Sequence, residues 1–361
     1  MSQKNDILSL LNDQERHAAT AARQALIIQP GAIGDCILTL PLAQYMKDTL
    51  DLGSVVFLSH IGHAGFFAGR TCIDGVKSIE SLKLHRLFQS RREFDLEDGD
   101  PLLAAFAPYS WIVTFLGEHD SDFEHNLIYT AHCTHSAEVI SLNLKHPDAS
   151  STHISSYYID QFAAAHTPPL PTQEGGSRTA PTKPLLVATE TDKLKGTRLL
   201  AAFDIDPTSQ KVVVIAPGSG SVSKCWPIEN YIAVAEQVIA SGFKVLFLLG
   251  PAELERFPSA VIGQLREIAP CASGVSLTEV TQLLSVSHAF VGNDSGIAHL
   301  AGALGIRTIT LFGPTQSDVY KPCGQNVQTL QIPPEEFFKI SPSRQIQVAH
   351  LAVGGILKYR H

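Results

Sequence analysis

The sequence predicts an α/β protein of two doubly wound domains, each a parallel sheet wrapped by helices. Three observations carry that expectation. Short β-branched runs alternate with helix-like stretches, four of the runs in the second half end in glycine or proline, and a proline-rich stretch interrupts the chain near its middle. Alternation at this spacing calls for parallel strands joined by right-handed helical crossovers.

Taken in order, residues 1–24 carry Lys4, Asp6, Asp13, Glu15 and Arg16, too charged for a secretory signal. Ile7, Leu8 and Leu11 share one helical face, so this segment reads as an added amphipathic helix. The first domain spans residues 25–165. ALIIQPG and SVVFLSHIG read as its strands, with WIVTFLGEHD a later one. Residues 81–100 run from basic (Lys83, Arg86, Arg91, Arg92) to acidic (Glu93, Asp95, Glu97, Asp98, Asp100), without a clear periodicity. Residues 166–184, with five prolines and two glycines, read as an exposed linker.

The second domain spans residues 185–340. KVVVIAPG, FKVLFLLGP, HAFVGND and TITLFGPT are its strands, separated by helices such as WPIENYIAVAEQVIASG and SLTEVTQLLSVS. Residues 341–361 read as a terminal helix that packs back on the first domain. Ligands of such sheets bind beyond the carboxyl ends of the strands, so the four glycine or proline loops fall on one candidate edge.

Composition narrows the function. A formal net charge of −8 argues against nucleic acid as partner, because neutralising phosphates needs a basic surface. The six cysteines form no CxxC pair, which indicates neither a disulfide framework nor a cysteine zinc site. No apolar run approaches the ~20 residues of a membrane span, and a cytoplasmic protein is expected.

Three motifs bear chemistry. In PGAIGDCILTLP, Gly31 and Gly34 follow the first strand, but GxGxxG is absent and the second strand ends in Ser59 and His60 rather than an acid. A nicotinamide dehydrogenase is therefore disfavoured. Asp35 stands at a helix start, where an acid is commonly a cap, and where it would also repel a phosphate. In APGSGSVSKCWP, Gly218, Ser219, Gly220 and Ser221 form a small-residue turn, and Lys224 precedes a helix in which Pro227 fits an early position. A cation beside such a turn suits a diphosphate, although a surface turn with a solvated lysine has the same composition. In GNDSGIAHLAGALG, Asp294 and Ser295 open a helix and His299 lies four residues on, on the same face. They read either as anion-binding groups or as caps beside a structural histidine.

Other signals are weaker. DxD occurs at Asp98–Asp100, Asp120–Asp122 and Asp204–Asp206, and this repetition shows how little it specifies. His125, His132, Cys133 and His135 lack a zinc spacing.

Together and in this order, the three motifs resemble the heptosyltransferases of glycosyltransferase family 9. The resemblance covers residues 25–60 and 211–325 and is weak over 80–165. It implies the GT-B fold, two Rossmann-like domains about a central cleft. It also implies inverting, metal-independent transfer of a heptose from ADP-heptose to the lipopolysaccharide core, with no cofactor. By motif position Asp35 is the implied catalytic base, and Lys224 the residue that binds the diphosphate. Gly34, Ser219, Gly220, Asp294, Ser295, Gly296 and His299 are implied to hold the nucleotide-sugar. Glu253, in GPAELERF, falls near the nucleoside. The implied partners are a nucleotide-sugar donor and a glycan or glycolipid acceptor, with at most peripheral contact with the inner membrane. The basic run Lys83–Arg92 is either a contact for a phosphorylated acceptor or a solvated face. The alternatives are a GT-B transferase using another donor and acceptor, a sugar-nucleotide epimerase, and a catalytically silent nucleotide-sugar-binding protein.

Overall fold

The computed structural model describes residues 23–134, 136–146, 151–166 and 183–354. The expected N-terminal helix lies outside the described residues, as does nearly all of the expected linker. Contacts gather the described residues into two compact units. The first holds residues 23–32, 39–146 and 154–166; the second holds 33–38, 151–153 and 183–354.

In the first unit, β1 (Gln24–Ile28), β2 (Ser54–Ser59), β3 (Gly75–Ser78), β4 (Trp111–Thr114) and β5 (Glu138–Ser141) form one sheet in the order β3-β2-β1-β4-β5. Every pairing is parallel. The order reverses direction at β1, between β2 and β4, so the loop after β1 occupies the switch point. Helix α1 (Ile33–Thr49) follows that loop. Ile112, Leu26 and Ile28 pack against Phe123 and Leu127 of α2 (Asp122–His132). Helix α3 (Ile154–Ala165) buries Tyr158 and Phe162. Strand β3 and the short β5 were not legible in the sequence: Gly75–Ser78 holds a single branched apolar residue, Val76.

In the second unit, β6 (Val212–Ala216), β7 (Lys244–Leu249), β8 (Cys271–Ser273), β9 (Ala289–Asn293), β10 (Arg307–Phe312) and β11 (Val327–Gln331) form a parallel sheet. Its order is β11-β10-β9-β6-β7-β8, which reverses between β6 and β9. Both faces are covered by helices, so the central strands read as continuous apolar runs. The covering helices include α4 (Glu190–Ala201), α5 (Ile228–Ala240), α6 (Pro251–Arg256), α7 (Leu277–Ser285) and α8 (Gly296–Ala303). Helices α4 and α7 each begin with a reciprocal cap, Thr189 with Asp192 and Ser276 with Glu279. Pro227 is the cap residue immediately before α5, one position earlier than the sequence suggests.

The described part of the terminal helix is anchored in the second unit. Helix α9 (Pro342–Val353) buries Val348, Ala349, Ala352 and Val353 in the core of the second unit, beside Val291, Ile309 and Leu311. Polar bonds hold it there: Arg307 Nε donates to the Leu351 carbonyl at 2.7 Å, and Gln345 Nε2 to Asn230 Oδ1 at 2.8 Å. Its apolar stripe was visible in sequence, but a stripe does not name the surface that covers it. No helix among the described residues is long and apolar enough to cross a membrane.

Candidate nucleotide-sugar site

At the carboxyl edge of the second sheet, the loops after β6, β7, β9 and β10 converge about the switch point. Asn293, the last residue of β9, is buried and organises the centre. Its Oδ1 accepts from the Trp226 backbone N–H at 3.0 Å and from the Tyr231 hydroxyl at 2.7 Å. Its Nδ2 donates to the carbonyls of Pro217 at 2.7 Å and Gly218 at 3.3 Å. One amide therefore ties the loop after β6 to the start of α5. That is possible because β6 and β9 are hydrogen-bonded neighbours in the sheet.

The next residue, Asp294, is 4% exposed. Its Oδ2 accepts from Lys224 Nζ at 2.7 Å and from Thr315 Oγ1 at 2.8 Å, while Oδ1 lies 3.7 Å from His299 Nε2. Burial alone would raise this carboxyl. The hydrogen bond and charge of His299, with the Lys224 ammonium, outweigh burial and hold it down at about 2. Asp294 thus spends its oxygens on protein groups. It fixes the ammonium of Lys224, which stays one-third exposed at the edge.

Ser295 caps α8, its hydroxyl accepting from the Ala298 N–H at 3.3 Å. The cap reading is therefore met for Ser295, while Asp294 points to Lys224. The first turn of α8 directs its backbone N–H groups toward the same edge, a favourable place for an anion. His299 is buried, and its Nδ1 has no hydrogen-bond partner among the described residues. Buried nitrogens are rarely left so, and a ligand oxygen would satisfy this one.

The loop after β6 is held from several sides. Ser219 Oγ donates to the Asp294 carbonyl at 2.8 Å, and the Arg256 guanidinium donates to the carbonyls of Ser219 and Gly220 at 2.8 and 2.9 Å. Glu253 is buried; one oxygen accepts from the Gly250 N–H at 2.6 Å and the other presses on Gly218, where an added Cβ would lie 1.4 Å from it. A side chain at position 218 would require the Glu253 carboxylate to move.

Asp35 sits in the first turn of α1, half-buried, two residues after the Ile33 that begins the helix. It is therefore not the cap residue, although an acid there still suits the helix dipole. Within the second unit, Gly34 and Gly296 meet closely. A Cβ on Gly34 would lie 3.0 Å from His299 Cδ2, and one on Gly296 would lie 2.8 Å from Ile33 Cβ.

The structure therefore brings Lys224, Ser219, Gly220, Glu253, Asp294, Ser295, Gly296, His299 and Gly34 into one neighbourhood. Sequence reasoning missed the supporting parts played by Asn293, Thr315 and Arg256. Asn293 and Thr315 stand inside the quoted motifs, in GND and GPT. Arg256 stands in the quoted GPAELERF, where only Glu253 was singled out.

The weaker signals resolve into local structure. Arg86 pairs with the buried Asp100 at 2.7 Å, and Arg91 with Asp122 at 3.0 Å, so neighbouring acids take up half of the basic run. The second aspartate of each DxD is engaged structurally. Asp100 caps a helix by accepting from Leu102, Asp122 pairs with Arg91, and Asp206 ties a turn through Thr208 and Ser209. His125 and His132 bond to the carbonyls of Ser121 and Ala137, and His135 lies outside the described residues. No group of three or more histidine, cysteine, aspartate or glutamate side chains among the described residues is arranged to hold a metal ion.

The chain is similar to known proteins in sequence and in fold. The family model "Glycosyltransferase family 9 (heptosyltransferase)" matches residues 133–341. A curated relative, lipopolysaccharide heptosyltransferase 3 of Escherichia coli, is 27% identical over 136 residues, 36% of this chain and 39% of that protein. The chain thus spans about two-fifths of the length of the curated relatives it matches. Among solved structures, the glycosyl transferase family 9 protein of Veillonella parvula superposes with a TM-score of 0.67 at 16% identity, covering 92% of this chain and 97% of that one. The E. coli ADP-heptose lps heptosyltransferase II gives 0.65 at 16%, covering 92% and 99%. The fold is GT-B, two Rossmann-like α/β domains.

Proposed function

The chain belongs to glycosyltransferase family 9, and on that premise we propose that it transfers a heptose from ADP-heptose to a lipopolysaccharide-core glycan, with inversion and without a metal. The observation that carries the reading is the Lys224 ammonium, fixed by Asp294 and Thr315 at the sheet edge beside the N-terminus of α8. The relatives, lipopolysaccharide heptosyltransferases and an ADP-heptose enzyme by name, support the choice of sugar, acceptor and nucleotide.

In this mechanism the Asp35 carboxylate takes the proton from the acceptor hydroxyl as that oxygen attacks the anomeric carbon. The new carbon–oxygen bond forms on the face opposite the diphosphate. The old one breaks, and ADP departs with the electron pair. Lys224 and the N–H groups of α8 receive the charge that develops on the diphosphate. His299 and the turn at Ser219–Gly220 hold the nucleotide-sugar, and Glu253 lies toward the nucleoside. The reaction is cytoplasmic, with at most peripheral contact with the inner membrane.

Thermal-shift measurements against ADP-, UDP-, GDP- and CMP-sugars test the donor. A ligand at a hundred times its Kd stabilises by about 2.7 kcal/mol, enough to rank the four. Greatest stabilisation by ADP-heptose is expected, and a preference for UDP-sugars would overturn the donor assignment.

A further inference from the structure

Four successive carbonyl oxygens of the loop after β6 are taken by two side chains. Asn293 holds those of Pro217 and Gly218, and Arg256 holds those of Ser219 and Gly220. A loop whose acceptors are all engaged presents a ligand with donors alone, and that selects for anions. Asn293 is a buried strand residue whose bonds also anchor α5. Arg256 is different: it ends α6, lies on the exposed side of the loop, and makes no ion pair among the described residues. Its backbone hydrogen bonds go to the two residues that form the turn, and its guanidinium also faces the Cys225 thiol.

We propose that Arg256 is a positioning residue for the diphosphate loop, resting on the reading that this loop binds a nucleoside diphosphate. The planar guanidinium grips two adjacent carbonyls at once, at 2.8 and 2.9 Å, and so sets the rotation of the Ser219–Gly220 and Gly220–Ser221 peptides. Each carbonyl turned toward Arg256 points the N–H of its own peptide the opposite way. Those N–H groups belong to Gly220 and Ser221, on the turn that leads to Lys224. The loop is rich in glycine and serine and would otherwise sample many peptide orientations. The guanidinium holds it in the one that offers donors to the diphosphate before the ligand arrives.

The geometry separates this role from that of a charge facing the ligand. A lysine keeps the charge but cannot span both carbonyls, since its ammonium is a point donor and not a planar fork. The test compares the wild type, Arg256→Ala and Arg256→Lys by calorimetric titration with ADP and with inorganic pyrophosphate. Melting temperatures and donor and acceptor kinetics are followed in parallel. Both variants are expected to lose about tenfold in ADP affinity and to raise the donor KM in step. The acceptor KM and the melting temperature should hold near wild-type values. Millimolar methylguanidinium should restore part of the ADP affinity of Arg256→Ala and leave the wild type unchanged.

Wild-type affinity in Arg256→Ala would overturn the proposal. Full affinity in Arg256→Lys would overturn it too, because charge alone would then suffice. If the wild type bound neither ADP nor pyrophosphate, the functional reading would fall and this one with it. That result is distinct from a wild type that binds beside variants that bind equally well.

Discussion

The loops that follow β1 and β6 occupy the same place in their sheets, each at the strand where the order reverses. They are held in opposite ways. After β1, the buried Gln29 lends its Oε1 to the backbone N–H of Gly31 at 2.9 Å and donates its Nε2 to Thr39 Oγ1 at 2.8 Å. His63 Nδ1 donates to the Gly31 carbonyl at 3.1 Å. The N–H that a phosphate would need is already spent. After β6, side-chain donors take the carbonyls from Pro217 to Gly220, and a lysine stands at the loop's end. On the proposed reading, one architecture thus yields a loop that places an acid and a loop that receives an anion. The difference lies in which backbone groups the neighbouring side chains occupy.

The largest expected effect breaks the first loop's assignment. Asp35→Asn keeps the shape of the helix start and removes the base. General-base catalysis contributes about a hundredfold to ten-thousandfold, so kcat should fall by roughly a thousandfold while ADP affinity changes less than twofold. Normal turnover in this variant would leave Asp35 as a helix-dipole residue and nothing more. Next comes the centre of the second loop. Asn293→Ala strands the Trp226 N–H, the Tyr231 hydroxyl and the Pro217 carbonyl, and should cost about 3 kcal/mol in denaturant unfolding. ADP affinity should fall with it, since the loop loses its anchor.

Lys224→Ala is expected to weaken both ADP binding and turnover by about a hundredfold, the usual loss when one preorganised stabiliser of developing charge is removed. Thr315 and His299 still face the Asp294 carboxylate in this variant. If ADP affinity were kept, the anion would have to lie elsewhere on the edge.

What the sequence disclosed follows the same division. The central strands of both sheets were readable, because burial on both faces forces β-branched runs such as VVVIA, ended by glycine or proline. The residues at the loop ends were readable too, since Lys224 and Asp294 stand in short-range motifs. Their pairing was not. They lie seventy residues apart, and only the adjacency of β6 and β9 brings them to 2.7 Å. Arg256 was invisible for a related reason: its partners are backbone carbonyls, which any sequence supplies. The segment from Lys83 to Asp100 resisted placement because its order comes from long-range pairs such as Arg86 with Asp100, and not from an apolar period.

Acid sharpens the comparison through Asp294 itself. Its carboxyl is held at about 2 in the folded protein against an ordinary 3.8, so its contribution is fully present above pH ~4. That contribution is lost as the pH falls from about 4 through about 2, by up to roughly 2 kcal/mol. Asp294→Asn should flatten the stability–pH curve over that window. An unchanged curve would mean that the interactions of the Asp294 carboxylate with His299 and Lys224 add nothing to stability.

The smallest effect tests whether the first loop is independent of the anion. Gln29→Leu keeps the buried volume but removes the bonds that Gln29 makes to the Gly31 N–H and the Thr39 hydroxyl. That should cost about 1 kcal/mol, the worth of a typical intramolecular hydrogen bond. Freed from Gln29, the turn before Asp35 loses its fixed geometry, so kcat should fall severalfold while ADP affinity stays at the wild-type value. Asn293→Ala, by contrast, is expected to move stability and ADP affinity together. If Gln29→Leu also changed ADP affinity, in either direction, the first loop would be coupled to the anion's surroundings. The two loops would then share one task, where the proposed reading gives them two: the Gly31 amide of the first loop is bonded to Gln29, and the carbonyls of the second loop are bonded to Asn293 and Arg256.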